Sequence, residues 1–160
     1  MNYQLVYSDI QSIYFNLTNQ QVNANELLQT FLCRSDTHIS EMANQYRTRM
    51  GGELETVIRM SSLKVDMKKV LVHAIRTASN IVYRDVMLLR DAMGYEYSTL
   101  VGEGSCETLG IRATRMHWFN QHWNQVKAGY NGIAGRNFVT EMEELKNAGE
   151  LAALVRQKVG

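Results

Sequence analysis

The feature that most constrains this chain is that part of it is written twice. Tyr7-Ser-Asp9-Ile-Gln-Ser-Ile-Tyr-Phe-Asn-Leu17 is a degraded copy of Tyr83-Arg-Asp85-Val-Met-Leu-Leu-Arg-Asp-Ala-Met93, 76 residues downstream. Behind each copy a second set of matches follows at an offset of 73, Glu26-Leu27 with Thr99-Leu100 and Cys33 with Cys106. The text is helical, because Val82, Val86, Leu89 and Met93 recur at the spacing of one helix face. A supersecondary unit written twice at a near-constant period predicts stacked helical repeats.

The remaining text agrees with that class. The 160 residues include no proline, so nothing in the chain forces a helix to break at a ring. Apolar periodicity predicts helices over 4–17, through Leu27, Leu28, Phe31 and Leu32, and from Ser35 or Asp36 to about Met50. Asn23 or Asn25 caps the second of these, and Gly51-Gly52 ends the third. Further helices are expected over 53–60, 65–76, 81–93, 97–105, 107–126, 137–145 and 150–159. Gly129–Gly135, with three glycines in seven residues, reads as a loop. The expectation is a single all-α domain over 1–160, a compact bundle or superhelix of about ten helices with no strand.

Composition excludes several functions. With 17 basic and 16 acidic residues the net charge is +1, which gives no footprint for nucleic acid. No apolar run is long enough to span a bilayer and no signal peptide opens the chain, so the sequence reads as cytoplasmic. Cys33 and Cys106 sit in apolar helical text and are expected to be buried free thiols. No catalytic triad, carboxylate pair or nucleotide fingerprint is present, and the expectation is a protein that is not an enzyme.

The order of short helix, Arg-Ser, long helix, Gly, short helix, helix and a helix ending in Leu-Leu-Arg-Asp-Ala-Met resembles the annexin repeat. The residues that carry the resemblance are Leu27–Asp36, Tyr46-Arg47, Gly52–Ile58, Asp66–Leu71 and Tyr83–Met93. It implies one repeat over 24–93, a degenerate second over 94–159, and 4–17 as the last helix of a partial preceding repeat. That is about two of the usual four repeats. The family docks on anionic phospholipid through calcium held by a Lys-Gly-x-Gly-Thr loop, whose backbone carbonyls are completed by a distant acidic cap. Here Met93-Gly94-Tyr95-Glu96 reads as a shortened loop, and Asn19–Asn25 contains no glycine. The cap position falls on Ser61 in the first repeat, with Glu144 the nearest carboxylate in the second. The resemblance therefore implies a peripheral membrane or cytoskeletal binding module with weak or absent calcium dependence. The alternative is a structural subunit that self-associates as a homo-oligomer through exposed helical faces.

Calcium is the one cofactor with a candidate site. Calcium takes six to eight oxygens, and Gly129 and Gly132 with Glu141 or Glu144 are the remaining sources. The same glycines do not make a phosphate loop, since neither a preceding strand nor a following Lys-Ser/Thr is present. Lys64, Lys68, Lys69 and Arg76, with Arg84, form the candidate basic surface for a lipid headgroup or an acidic protein partner. His117 and His122 lie about 140° apart on a helix and read as structural. Trp118, Phe119 and Trp123 are expected to pack in the core rather than to form a membrane belt.

Overall fold

The computed structural model describes residues 1–19, 23–96, 99–146 and 148–160. The chain divides into two compact units, Met1–Ile81 and Val82–Gly160. The N-terminal unit holds α1 (Tyr3–Thr18), α2 (Ala24–Cys33), α3 (Asp36–Met50), α4 (Leu54–Met60) and α5 (Val65–Ser79). The C-terminal unit holds α6 (Ile81–Ala92), which starts at the boundary, then α7 (Cys106–Met116), α8 (Asn120–Ala134), α9 (Phe138–Glu143) and α10 (Gly149–Val159). An antiparallel pair, β1 (Tyr95–Glu96) and β2 (Thr99–Leu100), lies between α6 and α7 with Tyr95 opposite Leu100. Among the described residues the protein is all-α apart from this hairpin.

Local chemistry explains most helix ends. The side chains of Asn2, Asn23, Ser35, Ser105 and Asn137 each accept a backbone N–H of the first turn, satisfying donors that a helix start leaves open. Gly51 and Gly135 end α3 and α8 in the left-handed conformation at φ 78° and 76°, which glycine adopts without a Cβ clash. They stand 84 residues apart, as do the buried pairs Tyr46 and Tyr130, Leu54 and Phe138, and Leu71 and Val155. The two units are thus the same five-helix design.

The units divide elsewhere than the repeats expected from sequence. Val6, Ile10, Ile13 and Leu17 of α1 are buried in one core with Leu27, Phe31, Ile39 and Leu71. Val86 and Leu89 of α6 are buried with Leu109, Val126 and Val155. The duplicated text therefore heads each unit rather than closing it, because its apolar stripe is covered by the four helices that follow.

Between α6 and α7 the expected helix over 97–105 is not formed. Residues 97 and 98 lie outside the described residues, Thr99–Leu100 is strand, and 101–105 is non-helical. Gly94, at φ 89°, accepts the N–H groups of both Val101 and Gly102 at 2.9 and 3.1 Å, and this closes the hairpin. A Cβ at Gly94 would meet the Gly102 carbonyl oxygen at 2.3 Å, so only glycine permits the closure. The match of Glu26-Leu27 to Thr99-Leu100 is accordingly not structural. The same holds for the cysteines, since Cys33 ends α2 exposed whereas Cys106 begins α7 buried.

The helix expected over 107–126 is broken at His117–Phe119, and the loop expected at 129–135 is the last part of α8. Gly129 is there for packing. A Cβ on it would sit 3.0 Å from the Val86 side chain, so its absence lets α8 approach α6. The break leaves Trp118 and Phe119 at 74% and 69% exposure on the connector, whereas Trp123 is buried with its indole N–H donating to the Val159 carbonyl. Only one of the three aromatic residues expected in the core is there.

Candidate functional site

Each unit fixes its first helix with a buried carboxylate. Asp9 of α1 receives the Arg34 guanidinium at 2.7 and 3.0 Å and lies 2.8 Å from His38 Nε2. Burial pushes the Asp9 carboxyl up, but the hydrogen bonds from Arg34 and His38 outweigh it and hold the group below the usual range. Asp85 of α6 pairs with Arg84 at 3.0 Å and with His122 Nε2 at 2.6 Å. His38 and His122 are again 84 residues apart. His122 is therefore structural, as is His117, whose Nδ1 meets the Thr114 carbonyl.

The C-terminal unit adds a cleft of about 440 Å³ between the hairpin segment and the end of α9. Gly102, Glu103 and Gly104 line it together with Arg136, Glu144 and Lys146. Its floor is an ionic network. Buried Glu141 receives Arg90 Nη1 at 3.2 Å, Arg136 Nε at 3.3 Å and the Tyr130 hydroxyl. Burial and the bond to Glu141 push the Tyr130 hydroxyl well up. The Arg90 guanidinium also stacks over the Tyr95 ring at 3.9 Å, tying the hairpin to the floor. At the rim Arg136 clasps Glu144 with two parallel bonds, Nη1 to Oε1 at 2.8 Å and Nη2 to Oε2 at 2.6 Å. That clasp holds the Glu144 carboxyl below its ordinary range.

The residues singled out in the sequence are dispersed. Gly129 and Gly132 lie within α8, and neither is among the residues that line the cleft. Glu144 is in the cleft and Glu141 beneath it. Lys68 Nζ donates to the Arg59 carbonyl at 2.8 Å, and Arg76 is ion-paired with Glu55 at 2.6 Å, half-buried. Lys64, at the start of α5, and Lys69 are exposed. Arg84 belongs to the other unit and is spent on Asp85. Ser61, at the first cap position, donates its hydroxyl to the Ile58 carbonyl and brings no carboxylate.

What sequence reasoning missed is Gly102-Glu103-Gly104-Ser105. It has the Gly-x-Gly-Ser/Thr form of the loop that the resemblance implies, and its first three residues line the same cleft as Glu144. The signal was present, displaced along the chain by the intervening hairpin.

The cleft does not fit a calcium ion as it is built. Both oxygens of Glu144 are held by Arg136, and the Gly102 carbonyl is turned against Gly94. Calcium needs six to eight oxygens, and a guanidinium already sits on the carboxylate that would cap them. Among the described residues no group of three or more His, Cys, Asp or Glu side chains is placed to hold a metal ion.

Two five-helix units of this order, each opened by a buried Asp–His pair, define an all-α repeat protein. The fold is annexin-like. The structure is similar to annexin A8, with a TM-score of 0.69 at 17% identity over 92% of this chain and 42% of that one. It is similar to annexin III, with a TM-score of 0.67 at 12% identity over 94% of this chain and 44% of that one. The chain spans less than half the length of the solved structures it matches. Comparison of the sequence with family models and with curated proteins returns no match. Among the described residues no helix is long and apolar enough to cross a membrane.

Proposed function

We propose that this chain is a non-enzymatic, peripheral binding module that docks on anionic phospholipid surfaces at the cytoplasmic side, with weak or absent calcium dependence. The observation that carries the reading is the clasp of Arg136 on Glu144 in a cleft lined by the glycines of a Gly-x-Gly-Ser loop. A fixed cation takes the place where calcium would be needed. Leu100 and Val101 stand at 63% and 62% exposure beside that cleft, and Lys146 lines it. Exposed apolar side chains next to positive charge suit the boundary of an anionic leaflet.

Co-sedimentation with vesicles tests this. The expected result is pelleting with phosphatidylserine-containing vesicles, little with phosphatidylcholine alone, and no change when calcium is replaced by a chelator. Failure to pellet with anionic vesicles in both conditions removes the membrane reading, and binding only with calcium removes the account of Arg136.

A further inference from the structure

A second recess lies away from this cleft, on the outer side of α7 and α10. It is an apolar groove of about 400 Å³ whose walls include Ile111 and Leu154, at 66% and 52% exposure. The two helices run in the same direction. Just before their starts Gly104 abuts the Leu145 side chain. Midway, Gly110 faces Val155, where a Cβ would come within 3.1 Å. The missing side chain lets α7 and α10 pack closely at the base of the groove. Glu107 therefore lies toward one end of the groove and Lys158 toward the other.

That arrangement is self-complementary. A two-fold axis across the groove lays a second copy antiparallel on the first. Each Lys158 then faces the partner's Glu107, and the ridge of Ile111 and Leu154 on each copy faces the partner's groove. Isologous contact requires a patch that matches its own inverse, with knob beside hole and opposite charges at opposite ends. A strongly acidic or basic partner finds no match in a groove with one charge of each sign. We propose that this groove is the pairing surface of a homodimer of the chain, formed independently of the lipid-facing cleft.

The test is sedimentation equilibrium of the full chain across a wide concentration range. A single groove gives a small interface, so the expected dissociation constant is roughly micromolar. Ile111→Asp, at an exposed position where the fold tolerates it, is expected to weaken pairing by about tenfold or more, with the thermal melt of the diluted chain unchanged. Glu107→Lys and Lys158→Glu each weaken it roughly two- to fivefold per contact, and the chain carrying both regains pairing. A monomer at every concentration overturns the proposal. So does a dimer that survives Ile111→Asp, or a double charge reversal that does not restore what the single ones lose.

Discussion

The two units solve the same packing problem and then part at one place. Both bury a first-helix aspartate against a histidine of the third helix, and both end that helix on a left-handed glycine. The difference is concentrated around Glu141. Its counterpart 84 residues earlier is Val57, packed against the N-terminal core, and the counterpart of Arg90, 76 residues earlier, is Tyr14. One unit has a partly buried valine and an exposed tyrosine at these positions. The other fills them with an ion pair in which both partners are about 5% exposed, capped by a tyrosine and overlaid by a hairpin. Ion pairs this deep are seldom a cheap way to gain stability, since desolvation offsets most of their attraction. What the C-terminal unit has in exchange is a polar floor beneath a cleft.

The largest expected effect breaks that floor. Glu141→Ala leaves Arg90 buried without its carboxylate and is expected to cost about 3–5 kcal/mol in urea unfolding. Rebuilding the site in the manner of the N-terminal unit, with Glu141→Val together with Arg90→Leu, is expected to recover most of that loss. If the double variant is as unstable as Glu141→Ala, the network is not replaceable by packing and the comparison between units fails.

The shared device comes next. Asp9→Asn is expected to cost about 1.5–3 kcal/mol at neutral pH, the range for hydrogen bonds to a charged group. Asp85→Asn is expected to fall in the same range. The Asp9 carboxyl is held below its ordinary value of 3.8 by Arg34 and His38. Its contribution is therefore full above that pH and lost as pH falls through the folded-state value. The gap between the natural chain and Asp9→Asn should accordingly be wide at pH 7 and should shrink below about pH 4. A gap independent of pH would mean the carboxylate charge carries none of it.

Much of the helical frame was legible in the sequence, and the reason is local. Capping side chains act within three residues, Gly51 acts on its own turn, and an apolar stripe at 3.6-residue period needs no distant partner to be seen. What was not legible depends on partners far along the chain. Gly102 and Gly104 look like weak helix residues until Gly94 and Leu145 close on them. Gly129 looks like a loop residue until Val86 is placed against it. Trp118 and Phe119 carry core chemistry by composition, and only the break between α7 and α8 puts them outside. For the cleft, one cap carboxylate was visible, but the arginine that neutralises it lies eight residues away across a turn, at no helical spacing.

The smallest structural change carries the sharpest contrast. Arg136 and Glu144 lie at the surface, but Arg136 Nε also reaches buried Glu141 at 3.3 Å, so Arg136→Gln is expected to lower the unfolding midpoint slightly. It frees both oxygens of Glu144 in the cleft that Gly102 and Gly104 also line. The Gly102 carbonyl remains turned against Gly94, so the oxygen set stays incomplete and any uptake is weak. Calorimetric titration is then expected to show calcium binding at roughly 10⁻³ M in this variant and none in the natural chain. Ser61→Glu in the N-terminal unit supplies a carboxylate without a glycine loop and is expected to bind none. Uptake by the natural chain, or none after Arg136→Gln, would mean that the guanidinium is not what separates this cleft from a calcium site. The difference would then lie in the turn at Gly94, whose closure sets the direction of the Gly102 carbonyl.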